Sequence, residues 1–180
     1  MSPSGILFCI IGITFTAFNI WFSWWASIRN RRYHGVSRFF SFESILLLVL
    51  MNYSVWFKEP FRIIQIFSWI FLILSIWVAG YGFFMLKFRG KPDGTFENTT
   101  ELIKTGIYKY IRHPLYLSLF LVGLGAYLKD TATCQTILLA INVVSIFVTA
   151  RIEESEMILK FGREYEDYMK RSKMFIPYIF

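Results

Sequence analysis

From Gly5 to Ile28 the chain runs 24 residues without a charged side chain. As a helix, that run is about 36 Å long at 1.5 Å per residue, enough to cross the hydrocarbon core of a bilayer with some tilt. Inside a bilayer every backbone polar group must be satisfied by the protein itself, which restricts a chain with several such runs to packed helices or a closed barrel. Four more apolar segments follow, at about 39–57, 61–86, 114–128 and 132–150. The expected fold class is therefore all-α integral membrane with five transmembrane segments. Residues 1–180 form a single membrane domain: three N-terminal spans over 1–86, then a polar loop, a helical hairpin and a C-terminal amphipathic helix over 87–180.

The fourth segment, Pro114 to Leu128, has only 15 residues, about 22 Å as a helix and short for a full crossing. Lys129-Asp130-Thr131 turns it into the fifth, so the two read as a tight helical hairpin. Trp21, Trp24 and Trp25 gather near the end of the first run, where indole rings favour the membrane interface. No basic residue precedes that run and it is too long for a signal peptide, so a retained span is expected. Asn19, Asn52 and Asn142 fall inside spans, where polar groups need partners and are expected to hydrogen-bond between helices. Gly80 and Gly82 allow close approach of a helix or a ligand.

The charges set the orientation. Loops 29–38, 87–112 and 151–173 hold four, six and six Lys/Arg, 16 of the 19 in the chain. Five crossings put those loops on one side, so the positive-inside rule places the N-terminus outside and the C-terminus in the cytoplasm. A net charge of +7 would suit a nucleic-acid binder, but that requires a basic face on a soluble domain. Here 56% of the residues are hydrophobic and the basic ones separate apolar runs, so no nucleic-acid partner is expected. Cys9 and Cys134 lie in apolar segments without ligand-like spacing; they read as small packing residues, and no metal is expected. His34, in a basic loop with no partner in view, reads as a surface residue.

Against this background Gly106 to Tyr116, GIYKYIRHPLY, stands out. Proline is accommodated in the first turn of a helix and disfavours helical geometry in the residue before it. His113 therefore sits at a helix entrance with Pro114 opening the helix. Free backbone N–H groups and partial positive charge at that entrance, beside Arg112 and His113, make an anion-binding corner. Upstream, KPDGT signals a turn, and Asn98-Thr-Thr-Glu101 resembles a capping box for a short helix from Thr99 to Thr105, closed by Gly106. Beyond the hairpin, Glu154, Ile158, Phe161, Tyr165 and Tyr168 recur at helical spacing and share one face, with Glu154 at its inner end and Glu153 one position round. The tail MFIPYIF returns to the interface. Arg112 and His113 before the hairpin and the glutamates after it would meet across its mouth. A cationic corner, a carboxylate and aromatic rings suit a zwitterionic cofactor with an added positive centre, such as S-adenosylmethionine.

The order LIKTGIYKYIRHPLY, a hairpin, E-E, FGREYEDY and a terminal proline resembles the isoprenylcysteine carboxyl methyltransferase family, related to the phospholipid methyltransferases. The resemblance covers Glu101 to Pro177 and implies an integral membrane methyltransferase that uses S-adenosyl-L-methionine. By position it implies a cofactor site of Thr100, Glu101, Leu102, Ile103, Tyr108, His113, Pro114, Leu115, Tyr116 and a glutamate, which makes residues before the hairpin a cofactor-binding loop. Glu153 matches the family's glutamate, whereas periodicity turns Glu154 inward; both stand. The family also orients its substrate with an arginine just before the glutamates. Arg151 occupies that place, two residues closer to Phe161 than the usual pattern.

A carboxylate acceptor is already ionised at neutral pH and needs positioning and charge balance more than a base, roles that suit Arg112 and Arg151. An amine acceptor, as in a phospholipid headgroup, must lose a proton, which Glu154 or Tyr116 could relay. The expected partner is a lipophilic or lipidated substrate drawn from membrane lipid, most simply a prenylcysteine-like carboxylate undergoing O-methylation. Two rivals belong to other classes. Membrane sterol reductases share an R-H-P-x-Y stretch and use NADPH, but their pattern continues with an acidic residue where this chain has Leu117-Ser118-Leu119. A non-catalytic scaffold would use the hairpin for packing alone.

Overall fold

The computed structural model describes residues 3–27, 29, 33–93 and 99–179. Among these residues six α-helices carry the fold: α1 (Pro3–Ala26), α2 (His34–Asn52), α3 (Ile63–Arg89), α4 (Pro114–Tyr127), α5 (Thr133–Phe161) and α6 (Arg163–Arg171). Among the described residues two isolated bridges form and no strand does. Four helices (α1, α2, α3 and α5) are long and apolar enough to cross a membrane, so the protein is a multi-pass membrane protein. The fourth apolar segment forms a helix of 14 residues, about 21 Å.

The bundle is built inside out relative to a soluble domain. Ile13, Phe18, Ile73, Ile76 and Trp77 on α1 and α3 face outward, as lipid-facing surfaces should. The interior instead contains small and polar side chains, which let helices approach closely and hydrogen-bond across the contact. All three span asparagines make such bonds. Asn19 Nδ2 on α1 donates to Glu43 Oε1 of α2 at 2.8 Å, and Thr16 Oγ1 donates to Glu43 Oε2 at 2.9 Å. Asn142 Nδ2 on α5 donates to Ser41 Oγ of α2 at 3.0 Å. Asn52 Nδ2 on α2 donates to the Ala126 carbonyl of α4 at 2.8 Å, and Asn52 Oδ1 accepts from Gln135 Nε2 at 3.0 Å. Ser68 Oγ on α3 donates to the Gly125 carbonyl of α4 at 2.6 Å. A Cβ at Gly125 would stand 2.8 Å from Leu72 Cγ, so only glycine permits that crossing of α3 and α4.

Several expectations change. The helix expected from Thr99 to Thr105 does not form; the chain is irregular there and tightens into a 3-10 turn only at Gly106–Lys109. Asn98, Gly94 and Thr95, of the capping box and the KPDGT turn, lie outside the described residues. Gly106 has φ +61, the left-handed geometry expected of it, but it opens this turn instead of closing a helix. Upstream, Thr100 N–H donates to the Gly90 carbonyl at 2.9 Å, which ties the segment to the end of α3 and replaces a cap.

α2 starts at His34, five residues before its apolar run, and takes His34 and Arg38 out of the loop into the buried interior. His34 Nδ1 pairs with Glu156 Oε2 at 2.9 Å, so it is not a surface residue. The polar face after Ala150 belongs to α5, which continues unbroken to Phe161; Gly162 at φ +57 then turns the chain into α6. Cys9 and Cys134 are exposed on outward faces, where a thiol is apolar enough to meet lipid. The tail folds back onto the hairpin entrance: Arg112 N–H donates to the Lys173 carbonyl at 2.8 Å, and His113 N–H to that of Met174 at 3.2 Å.

Candidate functional site

Pro114 opens α4 and His113 occupies the N-cap position with ψ 60, outside helical geometry, as X-Pro sterics demand. The pairing with residues 173 and 174 fixes the backbone on the other side, so Arg112 and His113 are held from both directions. Arg112 Nε donates to Glu154 Oε1 at 2.7 Å. Its Nη1 donates to the Ser172 carbonyl at 2.6 Å and that of Met169 at 3.3 Å. His113 Nε2 lies 3.4 Å from Glu154 Oε1, and Nδ1 lies 3.7 Å from Glu153 Oε2. The His113 ring stacks on Tyr116 with centroids 5.4 Å apart and planes 20° apart. The groups before and after the hairpin therefore meet across its mouth.

The two glutamates occupy different places. Glu154 is 2% exposed and sits among Arg112, His113 and Arg151, whose Nη1 is 3.4 Å from Oε2. Glu153 is half-buried and lines a cavity of about 510 Å³. That volume lies in the range of small-molecule sites, about 300–1,000 Å³. Leu102, Ile103, Tyr108, His113, Pro114, Leu115 and Tyr116 also line it, as does Arg112. Thr100 and Glu101 do not number among its lining residues: both are exposed, Thr100 Oγ1 donating to the Lys91 carbonyl and Glu101 pairing with Lys91 Nζ at 2.6 Å. Arg151 and Glu154 are likewise outside the lining, Arg151 with a side chain 61% exposed.

Two tyrosines of α6 and one of the 3-10 turn complete this wall. Tyr168 Oη donates to the Tyr108 carbonyl at 2.6 Å, and Tyr108 Oη to that of Gly82 at 3.4 Å. Burial, then the charge of Glu153, holds the Tyr108 and Tyr165 hydroxyls well above the usual phenol range, and burial raises Tyr168 as well. At neutral pH these groups are protonated, so they serve as hydrogen-bond donors and apolar faces, not as bases.

Part of the lining comes from the N-terminal half, where the sequence offers no recognisable motif: Phe22, Arg38, Phe42, Ala79, Gly80 and Phe83 among others. Of these only Gly80 attracts notice in the sequence, and its partner Gly82 proves to be a packing glycine. A Cβ at Gly80 would meet nothing within 4 Å, whereas one at Gly82 would stand 3.3–3.4 Å from Leu115 and Pro114. Phe22 and Phe42 look like any other lipid-facing aromatic residue until the helices are packed.

Comparison with known proteins places the chain. The family described as phospholipid methyltransferase matches residues 63–164. Methanethiol S-methyltransferase 1 of Bradyrhizobium diazoefficiens is 39% identical over 83 residues, 46% of this chain and 28% of that protein. The protein-S-isoprenylcysteine O-methyltransferase of Schizosaccharomyces pombe is 36% identical over 80 residues, 43% of this chain and 34% of that protein. The enzyme of the same name from Rattus norvegicus is 28% identical over 144 residues, 78% of this chain and 48% of that protein. The chain thus spans less than half the length of these relatives. No solved structure matches it. The matched region holds α3, the loop, the hairpin and both glutamates, and covers more than half of the chain: the protein belongs to the phospholipid methyltransferase family.

Proposed function

We propose that the protein transfers a methyl group from S-adenosylmethionine to a lipophilic acceptor at the membrane. The observation that carries this reading is the convergence of His113, Glu153 and buried tyrosines on one wall of a 510 Å³ cavity, within a chain of the phospholipid methyltransferase family. The donor set fits the cofactor: a carboxylate for its cationic centre, a histidine at a helix entrance for its carboxylate, and aromatic faces for its adenine. Glu153, His113, Tyr108 and the Leu102–Ile103 backbone are the residues that would hold it. Bound there, the cofactor would supply an electrophilic methyl group carried on a sulfonium sulfur, and an acceptor that is already anionic would have no proton to lose.

The remaining charged groups keep this wall in place. Glu154 balances Arg112 and His113, and Arg112 clamps the two carbonyls that end α6. Positioning of this kind is what a methyl transfer with an already ionised acceptor requires. An acceptor resembling prenylcysteine, with O-methylation of its carboxylate, agrees with the relatives named protein-S-isoprenylcysteine O-methyltransferase. A thiol acceptor is the second reading, favoured by the match to a methanethiol S-methyltransferase.

In the membrane, α4 joins the four long helices as a fifth, shorter crossing. The basic segments on either side of the α2–α3 pair and after the hairpin then lie on the cytoplasmic side, with the N-terminus outside and α6 along the inner surface. A water-soluble donor reaches the site from the cytoplasm and a lipophilic acceptor from the bilayer. The test is binding of S-adenosylhomocysteine and of NADPH to the detergent-solubilised protein, with Glu153→Ala and His113→Ala as controls. S-adenosylhomocysteine should bind and both substitutions should weaken it; binding of NADPH alone would sink the reading and favour a reductase.

A further inference from the structure

Tyr165 is the third residue of α6 and only 3% exposed, yet it borders the 510 Å³ cavity. Its ring meets that of Tyr168 edge-on, with centroids 5.8 Å apart and planes 66° apart, and it packs with Met157 of α5. Three contacts hold α6 in place. Lys104 of the loop pairs with Glu164 at 2.6 Å, Tyr168 Oη donates to the Tyr108 carbonyl at 2.6 Å, and Arg112 Nη1 donates to the Met169 and Ser172 carbonyls. The Tyr165 ring is thus fixed, but its hydroxyl makes no hydrogen bond to the described residues. Enclosing a hydroxyl without a partner is unfavourable. One that a well-anchored helix holds at a cavity wall is accounted for by a ligand that accepts from it.

The hairpin mouth is where that acceptor would sit. Burial, then the charges of Glu153 and Glu154, hold the Tyr165 hydroxyl well above the usual phenol range, against the opposing charge of Arg112. The group therefore faces this corner and stays protonated in it. Most other donors there are engaged. Arg112 spends Nε on Glu154 and Nη1 on the two α6 carbonyls. The N–H groups of Arg112 and His113 are taken by the carbonyls of Lys173 and Met174, and a proline, next in the chain, has none. An α-amino acid that brings its ammonium to Glu153 carries a carboxylate on the same carbon. That second charge needs donors within the same corner, and a hydrogen bond to an ionised group is the strong kind.

Resting on the methyltransferase reading above, we propose that the Tyr165 hydroxyl donates a hydrogen bond to the carboxylate at the amino-acid end of the methyl donor, beside His113, while Glu153 takes the ammonium. A phenol adds no charge to a corner that already holds Arg112, Glu153 and Glu154, so the selectivity it confers comes from its one hydrogen bond. α6 is then a wall of the donor site with a recognition task, and more than a helix resting on the membrane surface.

A matched pair of ligands tests this by calorimetric titration of the full chain in detergent. One is S-adenosylhomocysteine; the other is its decarboxylated analogue, S-adenosyl-3-thiopropylamine, with the same adenosine, sulfur and amine. Wild-type protein should bind S-adenosylhomocysteine at least about tenfold tighter than the analogue, the size expected of a hydrogen bond to a charged group. Tyr165→Phe should weaken S-adenosylhomocysteine by about 10–100-fold and leave the analogue's affinity unchanged. Its unfolding midpoint should match that of wild type, since the deleted hydroxyl bonds none of the described residues. Equal weakening of both ligands would make Tyr165 a packing or adenosine-facing residue and overturn the proposal, and so would an unchanged affinity for S-adenosylhomocysteine. Wild-type protein that binds the two ligands alike would overturn it as well, a comparison that needs no variant. Failure of wild-type protein to bind either ligand would instead overturn the methyltransferase reading.

Discussion

Arg112 and Glu154 meet at 2.7 Å across the mouth of the α4–α5 hairpin, with side chains only 9% and 3% exposed. Removing one partner of such a pair leaves the other charge buried, which costs about 3–5 kcal/mol. Glu154→Ala should therefore lower the thermal unfolding midpoint sharply in detergent. Glu153→Ala, at a half-buried cavity position, should change stability by less than about 1 kcal/mol and instead weaken S-adenosylhomocysteine binding at least about tenfold. Reversed phenotypes for the two neighbours would exchange their roles.

Periodicity and motif matching point to different glutamates, and the structure shows why. Helical spacing finds the most buried residue, and in a site held together by ion pairs that is the supporting carboxylate, Glu154. The cavity-lining group is the neighbour left partly open, Glu153. The spans were legible because lipid imposes long uncharged runs, and the interhelical bonds of Asn19, Asn52 and Asn142 because a polar group in lipid must find a partner. Burial of His34 and Arg38 was not legible. Arginines and a histidine between two apolar runs look like a surface loop, and Glu156, with which the buried His34 pairs, lies 122 residues away in sequence. Glu43 escaped notice for a related reason: one acid within a long apolar run barely alters its hydropathy, and its partners lie on a different helix.

The α3–α4 crossing depends on Gly125, where a Cβ would sit 2.8 Å from Leu72 Cγ and 3.1 Å from the Ser68 carbonyl oxygen. Gly125→Leu should overpack this contact by about 1–3 kcal/mol or more. It should also break the bond from Ser68 and lower the unfolding midpoint. Asn142→Ala, which removes the interhelical bonds to Ser41 Oγ and the Ser41 carbonyl, should cost less, about 0.6 kcal/mol with an upper range near 1.7. An Asn142→Ala variant less stable than Gly125→Leu would mean that polar bonds, not close packing, dominate the bundle.

The orientation can be read by labelling. With Cys9 and Cys134 replaced by serine, single cysteines at Tyr33 and Lys170 should react with an impermeant thiol reagent from the cytoplasmic side, and one at Glu59 from the opposite side. All three side chains are well exposed, so accessibility depends on sidedness alone. Reaction of positions 33 and 170 from opposite sides would exclude five crossings.

Gly80 and Gly82 separate cavity space from packing space within a single turn of α3. Bulk added at Gly80 enters open volume beside Phe83, so Gly80→Leu should fold with nearly wild-type stability while reducing room for an acceptor chain. Its affinity for S-adenosylhomocysteine should be unchanged, since the wall proposed for the donor comes from the loop, the hairpin and α6. Affinity for a farnesylated probe should fall several-fold, and more than for a short-chain analogue of the same head group, because the added side chain occupies volume needed only by the longer chain. At Gly82 a Cβ presses on Pro114 and Leu115, and the glycine carbonyl accepts the Tyr108 hydroxyl. Gly82→Leu should therefore displace the start of α4, weakening the donor and both acceptor probes together and lowering the unfolding midpoint. Calorimetric titration of the two variants with the donor product and the two probes separates these outcomes; a Gly80→Leu protein that binds long and short probes alike would remove this surface from the acceptor path.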